Sequence, residues 1–494
     1  MKLWHNGFFH TMKDKDAFFV NLLTDKGKII AVNVDEASYP NTERVDMRAQ
    51  HIYPGMVDAH LHLVGYGQKL SRIDLSITRE KETILNILKH ATPESLLVAE
   101  GYHDSGITKN DLDAISTIIP IILIHNDYHS ITANSVALNK AQVVSPTGIL
   151  TEEDAKKVTA RVINYDKETL KGYFSNALVK LHELGITGGH SDDLFYFGDM
   201  LRTYEAIQEV LATKPFRTHL LIHNRIFDKW RTIAASVASP YLEYGAVKLF
   251  YDGTLSSKTA LITGKYKNTS AQGLRMHSIE EFKALVAHAR AYGYTVAIHV
   301  IGDKALDEVC DILLELPPKK GQKDRIIHAS LVTEATIKKL ARLPAIFDIQ
   351  PLFVTSDMPY MNVLFDAVPD LIYPWKSYLD RGLILLGSSD APVEDPNPLL
   401  GIHALVTRTA HDGRDIYHPT QRIDRFKATK MYTTDYAVIT NNPTMRGYID
   451  IGYLSDFTVY AHDILTCPLE QLKSLRPSMT VIDEKIVYQT INQS

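Results

Sequence analysis

Tyr53-Pro54-Gly55-Met56-Val57-Asp58-Ala59-His60-Leu61-His62 is a short apolar run that ends in two histidines one residue apart. Side chains alternate faces along a strand, so His60 and His62 are expected to point the same way and to offer two imidazole nitrogens to one metal ion. Pro54-Gly55 punctuates the entry to the run, and Asp58 is placed to orient a ligand histidine. An isolated His-x-His also arises as two hydrogen-bonded histidines near a strand end, so its meaning depends on the rest of the chain.

Three further apolar runs end in a metal-competent residue. Tyr294-Thr295-Val296-Ala297-Ile298 leads to His299, Arg325-Ile326-Ile327 leads to His328, and Gly382 to Ser389 delivers Asp390 before Ala391-Pro392 stops the run. Singly, each histidine reads as structural and Asp390 as a helix N-cap. Together they repeat one architectural event, because every strand of a parallel βα barrel aims its C-terminal end at the same mouth.

The surrounding pattern agrees with that architecture. Eight barrel strands are expected at Ile52 to Asp58, Ile186 to Gly189, Arg217 to His223, Ala246 to Tyr251, Tyr294 to Ile298, Arg325 to Ile327, Ala345 to Gln350 and Leu383 to Gly387. Helical spacing of apolar residues marks Lys167 to Leu184, Asp199 to Ala212, Ile279 to Ala291, Asp303 to Leu316 and Glu334 to Leu343 between them, which is the α/β alternation. Residues 1–52 read as short strands and tight turns, with Asn6-Gly7 dividing Lys2 to His5 from Phe8 to Met12; residues 447–494 return to that pattern. The two ends are expected to build one small β-sandwich beside a barrel spanning 53–446. A segment of about 65–165, with strands at Leu96 to Glu100 and Ile121 to His125, reads as an insertion after the first barrel strand.

Composition excludes other classes. The chain has 494 residues, 45% hydrophobic and 22% charged, enough for a barrel of about 250 residues with added modules. A net charge of -5 offers no field for nucleic acid or an anionic membrane, and Lys319-Lys320 with Lys323 is a solvated loop. Cys310 and Cys467 are the two cysteines, so neither a disulfide framework nor a cysteine zinc motif is available. The N-terminus lacks a signal peptide's apolar region and no run is long enough to span a bilayer, which makes a cytoplasmic enzyme with a small-molecule substrate the expectation. A homodimer is carried as the expected assembly.

A binuclear site needs an anionic bridge, and Gly245-Ala246-Val247-Lys248-Leu249-Phe250-Tyr251-Asp252-Gly253 places Lys248 within an apolar run. A protonated lysine has only donors and cannot ligate a cation. A buried, neutral amine can instead take up carbon dioxide as a carbamate, a carboxylate-like bridge. Pairing of Lys248 with Asp252 or Asp390, or an ammonium that snorkels out of the barrel, stays open beside it.

The order His60-x-His62, Lys248, His299, His328, Asp390 resembles the amidohydrolase superfamily. More narrowly it resembles the amidohydrolase 3 branch of YtcJ-like and N-substituted formamide deformylase-like metal-dependent hydrolases. Carrying segments include Asn134-Ser135-x-Ala137-Leu138, Pro146-Thr147-Gly148-Ile149-Leu150-x-Glu152, Val247-Lys248-Leu249-Phe250-x-Asp252-Gly253, Ala297-Ile298-His299-x-Ile301-Gly302-Asp303-x-Ala305 and Gly387-Ser388-x-Asp390-x-Pro392-Val393. The resemblance covers nearly the whole chain. It implies a distorted (β/α)8 TIM barrel with a β-sandwich from both termini, metal binding by His60, His62, His299 and His328, Lys248 in the bridging position, and Asp390 as the barrel-end aspartate. Glu152 is a rival anionic ligand, and Tyr128 and Ser389 depart from the small residues of the pattern.

One or two divalent ions, zinc for an imidazole-rich set, would then activate water while Asp390 accepts its proton and returns it to a leaving amine. His129, in Asp127-Tyr128-His129-Ser130, matches a histidine of the branch and is a candidate substrate contact, as are Asp252, Gln350 and Glu152. Arg408 reads as support for the helix after Asp390. The expected activity is hydrolysis of a non-peptide C–N bond in an amide, N-formyl compound or cyclic amide. The alternatives are a mononuclear deaminase, in which Gly302-Asp303 stands where a glutamate is usual, and a metal-free scaffold of the same fold.

Overall fold

Gly55 divides the opening run between two sheets. In the computed structural model, which describes residues 1–490 except 92–94, 127–128, 235–238, 367–368, 370 and 411–412, Glu43–Pro54 belongs to a sheet built from the chain ends and Met56–Asp58 to the barrel. The barrel strands are β1 (Met56–Asp58), β2 (Ile186–Ser191), β3 (Arg217–His223), β4 (Leu242–Phe250), β5 (Val296–Val300), β6 (Asp324–His328), β7 (Ala345–Ile349) and β8 (Ile384–Gly387). Each pairs in parallel with its neighbours in the order β8-β7-β6-β5-β4-β3-β2-β1. The Ala59 N–H donates to the Gly387 carbonyl at 3.1 Å across the remaining seam. This is a (β/α)8 fold, and its strands are buried on both faces as parallel strands require. Local signals start the helices between them: Ser278 and Glu281 form a capping box on Ile279–Ala291, and Asp199 and Thr333 cap Met200–Leu211 and Glu334–Leu340.

The barrel interior holds a charged cluster. Arg325 in β6 donates to Asp348 in β7 at 2.9 Å, to His190 in β2 at 3.1 Å and to the Ala59 carbonyl at 2.5 Å. A guanidinium has no acceptor sites and needs such partners when buried, so one side chain ties four strand ends together.

The chain ends form the small β domain, one hydrogen-bonded sheet in the order Lys485–Gln489, Met479–Ile482, Phe457–Tyr460, Glu43–Pro54, Lys2–His10, Leu22–Asp25 and Lys28–Val32, with Phe18–Phe19 on Lys2–His10. Trp4, Phe9, Leu22, Ile52, Phe457 and Val481 fill its core. Asn6-Gly7 is not a hairpin turn. Lys2–His10 runs through it as one strand, with Asn6 at φ 54° and a register shift between His5 and Gly7, the mark of a bulge. Arg217 of β3 makes a two-pronged pair with Asp456, at 2.9 Å each, that joins this sheet to the barrel.

The chain divides into two compact units, Met1–Gly65 with Ala177–Ser494, and Tyr66–Asn176. The segment read as an insertion falls in the second. That unit has its own five-stranded sheet, Ile149–Thr151, Ser130–Ala133, Ile121–His125, Leu97–Tyr102 and Ile73–Asp74, with apolar clusters on its two sides. No helix among the described residues is long and apolar enough to cross a membrane.

Candidate metal centre

Strand alternation is not what aligns His60 and His62, because β1 ends at Asp58 and both histidines lie beyond it. Asp58 does the aligning, though not through a histidine ring. Its Oδ1 accepts the His60 N–H and the Ser389 N–H, both at 3.1 Å, and its Oδ2 accepts the Ser389 hydroxyl at 2.5 Å. The chain after β8 is thereby fixed to the chain after β1, and the Asp390 N–H donates to the His60 carbonyl at 2.7 Å. Ligand atoms of His60, His62 and Asp390 lie within 4.8 Å of one another, with Asp390 Oδ1 3.4 Å from His60 Nε2 and 3.5 Å from His62 Nε2.

His299 and His328 form the other half of the site. His299 lies within β5 rather than after it, and its Nε2 faces the Gly253 carbonyl at 3.1 Å, so that nitrogen carries the proton. The Nδ1 of His328, the last residue of β6, donates to Gln350 Oε1 at 2.7 Å; Gln350 is fixed in turn by its own amide donation to Ser388 and the Asp348 carbonyl. Both remaining nitrogens are then lone pairs, and they face each other at 3.0 Å. Two acceptors in buried contact are repulsive unless a cation or proton lies between them. His60 Nδ1 is also buried with no hydrogen-bond partner. The residues therefore fit a divalent ion, and the donor set is the one zinc prefers.

The charges around the histidines sharpen that fit. The His62 Nδ1 lies 3.1 Å from Asp192, a carboxylate–histidine arrangement that leaves Nε2 toward Asp390. Burial alone would lower the His62 pKa, but Asp192, Asp193 and Asp390 outweigh it and raise it. Burial and Lys248 hold His60 neutral, and burial with its neighbouring His328 does the same for His299. Burial pushes the Asp390 carboxyl upward, yet His62, His328 and Lys248 hold it below the ordinary value, so it is ionised at neutral pH.

Lys248 sits inside β4, 1% exposed, with Nζ 3.2 Å from His60 Nε2. It does not snorkel out, and the carboxylate at ion-pair distance is Asp192, at 4.0 Å, rather than Asp252 or Asp390. Asp252 is taken up by backbone: it accepts N–H groups of Leu261, Ile301 and Gly302 at 2.8–3.0 Å. Its position is that of a loop organiser and not of a group facing substrate. Gly302 belongs to the same arrangement, since a Cβ there would sit 2.0 Å from the Leu261 carbonyl oxygen. Asp303 accepts the Thr263 N–H at 2.9 Å.

Gln350 reaches the site as an orienting partner of His328. Glu152 and His129 lie in the second unit, exposed, with His129 Nδ1 3.6 Å from a Glu152 carboxylate oxygen; Asp127 and Tyr128 are outside the described residues. Ser389 holds Asp58, and Arg408 donates to the carbonyls of Tyr373 and Tyr417 behind the site. The strand pattern did not reveal Asp192 and Asp193, which follow β2 through Gly188-Gly189-His190-Ser191. The glycines break the apolar run, although two acids at the C-terminal end of a barrel strand were a usable signal.

A cavity of about 250 Å³ opens on His299, His328 and Asp390. Leu255, Ile301 and Phe353 give it apolar walls, Asp357 and Glu394 add negative charge, and no lysine or arginine is among the described residues that line it.

A parallel barrel with convergent imidazoles and a carboxylate at its C-terminal mouth is the arrangement of metal-dependent hydrolases. The chain belongs to the amidohydrolase family, whose model matches residues 43–488. It is 33% identical to the amidohydrolase YtcJ of Bacillus subtilis (strain 168) over 99% of both chains, and 22% identical to the N-substituted formamide deformylase of Arthrobacter pascens over 98% of this chain and 97% of that one. The crystal structure of an uncharacterized metal-dependent hydrolase from Pyrococcus horikoshii OT3 superposes with a TM-score of 0.82 at 25% identity, covering 95% of this chain and 99% of that one.

Proposed function

We propose that this amidohydrolase cleaves a non-peptide C–N bond in an amide, N-formyl compound or cyclic amide, with Asp390 carrying the proton. The observation that carries the reading is the pair of opposed lone pairs on His299 and His328, beside the His60, His62, Asp390 cluster and an apolar cavity. His60, His62, His299, His328 and Asp390 would hold the metal, with Lys248 beside His60. When bound, a divalent ion, zinc by this donor set, supplies Lewis acidity that brings the pKa of water from about 15.7 to about 7.

Asp390 is ionised and acts as acceptor for the proton of the attacking water, and its Oδ1, held beside His60 and His62, then returns that proton to the leaving amine. Asp192 holds His62, and Gln350 holds His328, each in the tautomer that leaves its Nε2 lone pair on the site. Lys248, buried within β4 between His60 and Asp192, is the candidate for carbamylation, and as a carbamate it would supply the anionic bridge. The acidic, lysine-free and arginine-free wall favours a neutral or cationic substrate over a carboxylate. Two free, buried cysteines support a cytoplasmic setting.

Elemental analysis of protein purified without chelators, native and Lys248→Ala, tests the centre. About two ions per native chain, falling with Lys248, supports the bridged site, and N-formyl and N-acyl amines are then the substrates to assay. One ion in both makes Lys248 structural and brings deaminase substrates forward.

A further inference from the structure

A second histidine pair lies far from the barrel mouth, in the sheet built from the chain ends. Phe9 and Ile52 face that sheet's core, so Phe8, His10, His51 and Tyr53 project from its other face. His10, the last residue of Lys2–His10, brings its Nε2 to 3.0 Å from the Nδ1 of His51. Tyr53 stacks on His10 with ring centroids 4.4 Å apart, and Phe8 stacks on His51 at 4.9 Å, so both imidazoles are clamped. The segment after Phe457–Tyr460 adds Asp463, which accepts the Tyr53 hydroxyl at 2.5 Å. One ligand atom from each of His10, His51 and Asp463 lies within 4.8 Å of the others, and His10 Nδ1 is buried with no hydrogen-bond partner.

We infer that His10, His51 and Asp463 form a second, structural metal site for a divalent ion of the zinc class, which clasps the first strand of the chain to its C-terminal segment. Zinc–nitrogen bonds of about 2.0–2.1 Å set tetrahedral ligands roughly 3.4 Å apart. The His10–His51 pair therefore has to open by only about 0.4 Å to pass from hydrogen bond to shared ligation. Two imidazoles and a carboxylate suit zinc or its neighbours rather than calcium or magnesium, which prefer all-oxygen sets. The fourth position falls to water or to His462, next to Asp463 in the chain.

Full-length native protein, His51→Asn and Asp463→Asn, each stripped and then given zinc chloride and desalted, are compared by elemental analysis, with circular dichroism to confirm folding. The expected result is one zinc fewer in each variant than in native protein. Zinc-edge anomalous maps from native crystals grown with zinc chloride should show a peak among His10, His51 and Asp463, separate from any at the barrel mouth. Equal zinc in native protein and a folded variant, or a map with no peak at this position, overturns the inference. The map decides even if a variant fails to fold, and it reads this site independently of the barrel centre.

Discussion

Two buried polar clusters of the barrel are built on opposite principles. In its interior, Arg325 meets Asp348, His190 and the Ala59 carbonyl, so a positive group faces acceptors on three sides. At its mouth, His299 and His328 turn two lone pairs toward each other. Arg325, His190, His299 and His328 are all buried, so burial does not separate the two clusters. Complementarity does: a cluster whose charges are matched holds strands together, whereas one whose acceptors converge suits a cation.

Asp390→Asn should have the largest effect, leaving the circular dichroism melt unchanged while turnover, expressed per bound metal ion, falls about 100- to 10,000-fold. Substantial residual turnover would remove Asp390 from proton transfer. Arg325→Ala should act on stability instead, lowering it by about 3–5 kcal/mol because Asp348 is left buried and unpaired. A denaturant midpoint that barely moves would erase the distinction between the clusters. His299→Gln should lower bound metal yet leave the chelated protein at least as stable as the chelated native chain, since the amide can donate to His328 Nε2. A clear drop in melting temperature would show that the two histidines support each other without metal.

pH gives a smaller test away from both clusters. His182, buried and donating to the Pro215 carbonyl, has its pKa pushed down by burial to about 4. An unfolded histidine protonates near pH 6.5 and the folded one does not, so this contribution is full above about 6.5, falls as pH drops toward 4, and is gone below that. The slope is at most about 1.4 kcal/mol per pH unit, and His182→Gln should flatten it in urea melts taken across that window. Glu152→Gln should do least, changing stability by less than about 1 kcal/mol and leaving metal content unaltered. Loss of an ion on that substitution would restore Glu152 as a ligand.

His60, His62, Lys248, His299, His328 and Asp390 were legible because each sits in or just past an apolar run, and in a parallel barrel that position alone specifies the mouth. Partners were not legible in the same way. A sequence cannot say whether Asp252 meets backbone N–H groups or substrate, nor that the carboxylate nearest Lys248 is Asp192, because those facts depend on how loops fold back over strand ends. The bulge at Asn6-Gly7 escaped for a related reason: the dipeptide permits a left-handed backbone, and a tight turn and a bulge both use one. The division of residues 43–58 between two sheets was set by hydrogen bonds to partners far along the chain, which no local pattern reports.

Asp58 carries a consequence for when the proposed metal centre is assembled. It bonds to Ser389, 331 positions along the chain, so the seam of the cylinder and the meeting of His60 with Asp390 are completed by the same contact. During synthesis the first two ligands emerge long before the last. With the proposed ligand set, a nascent chain therefore has no finished centre until the barrel has closed.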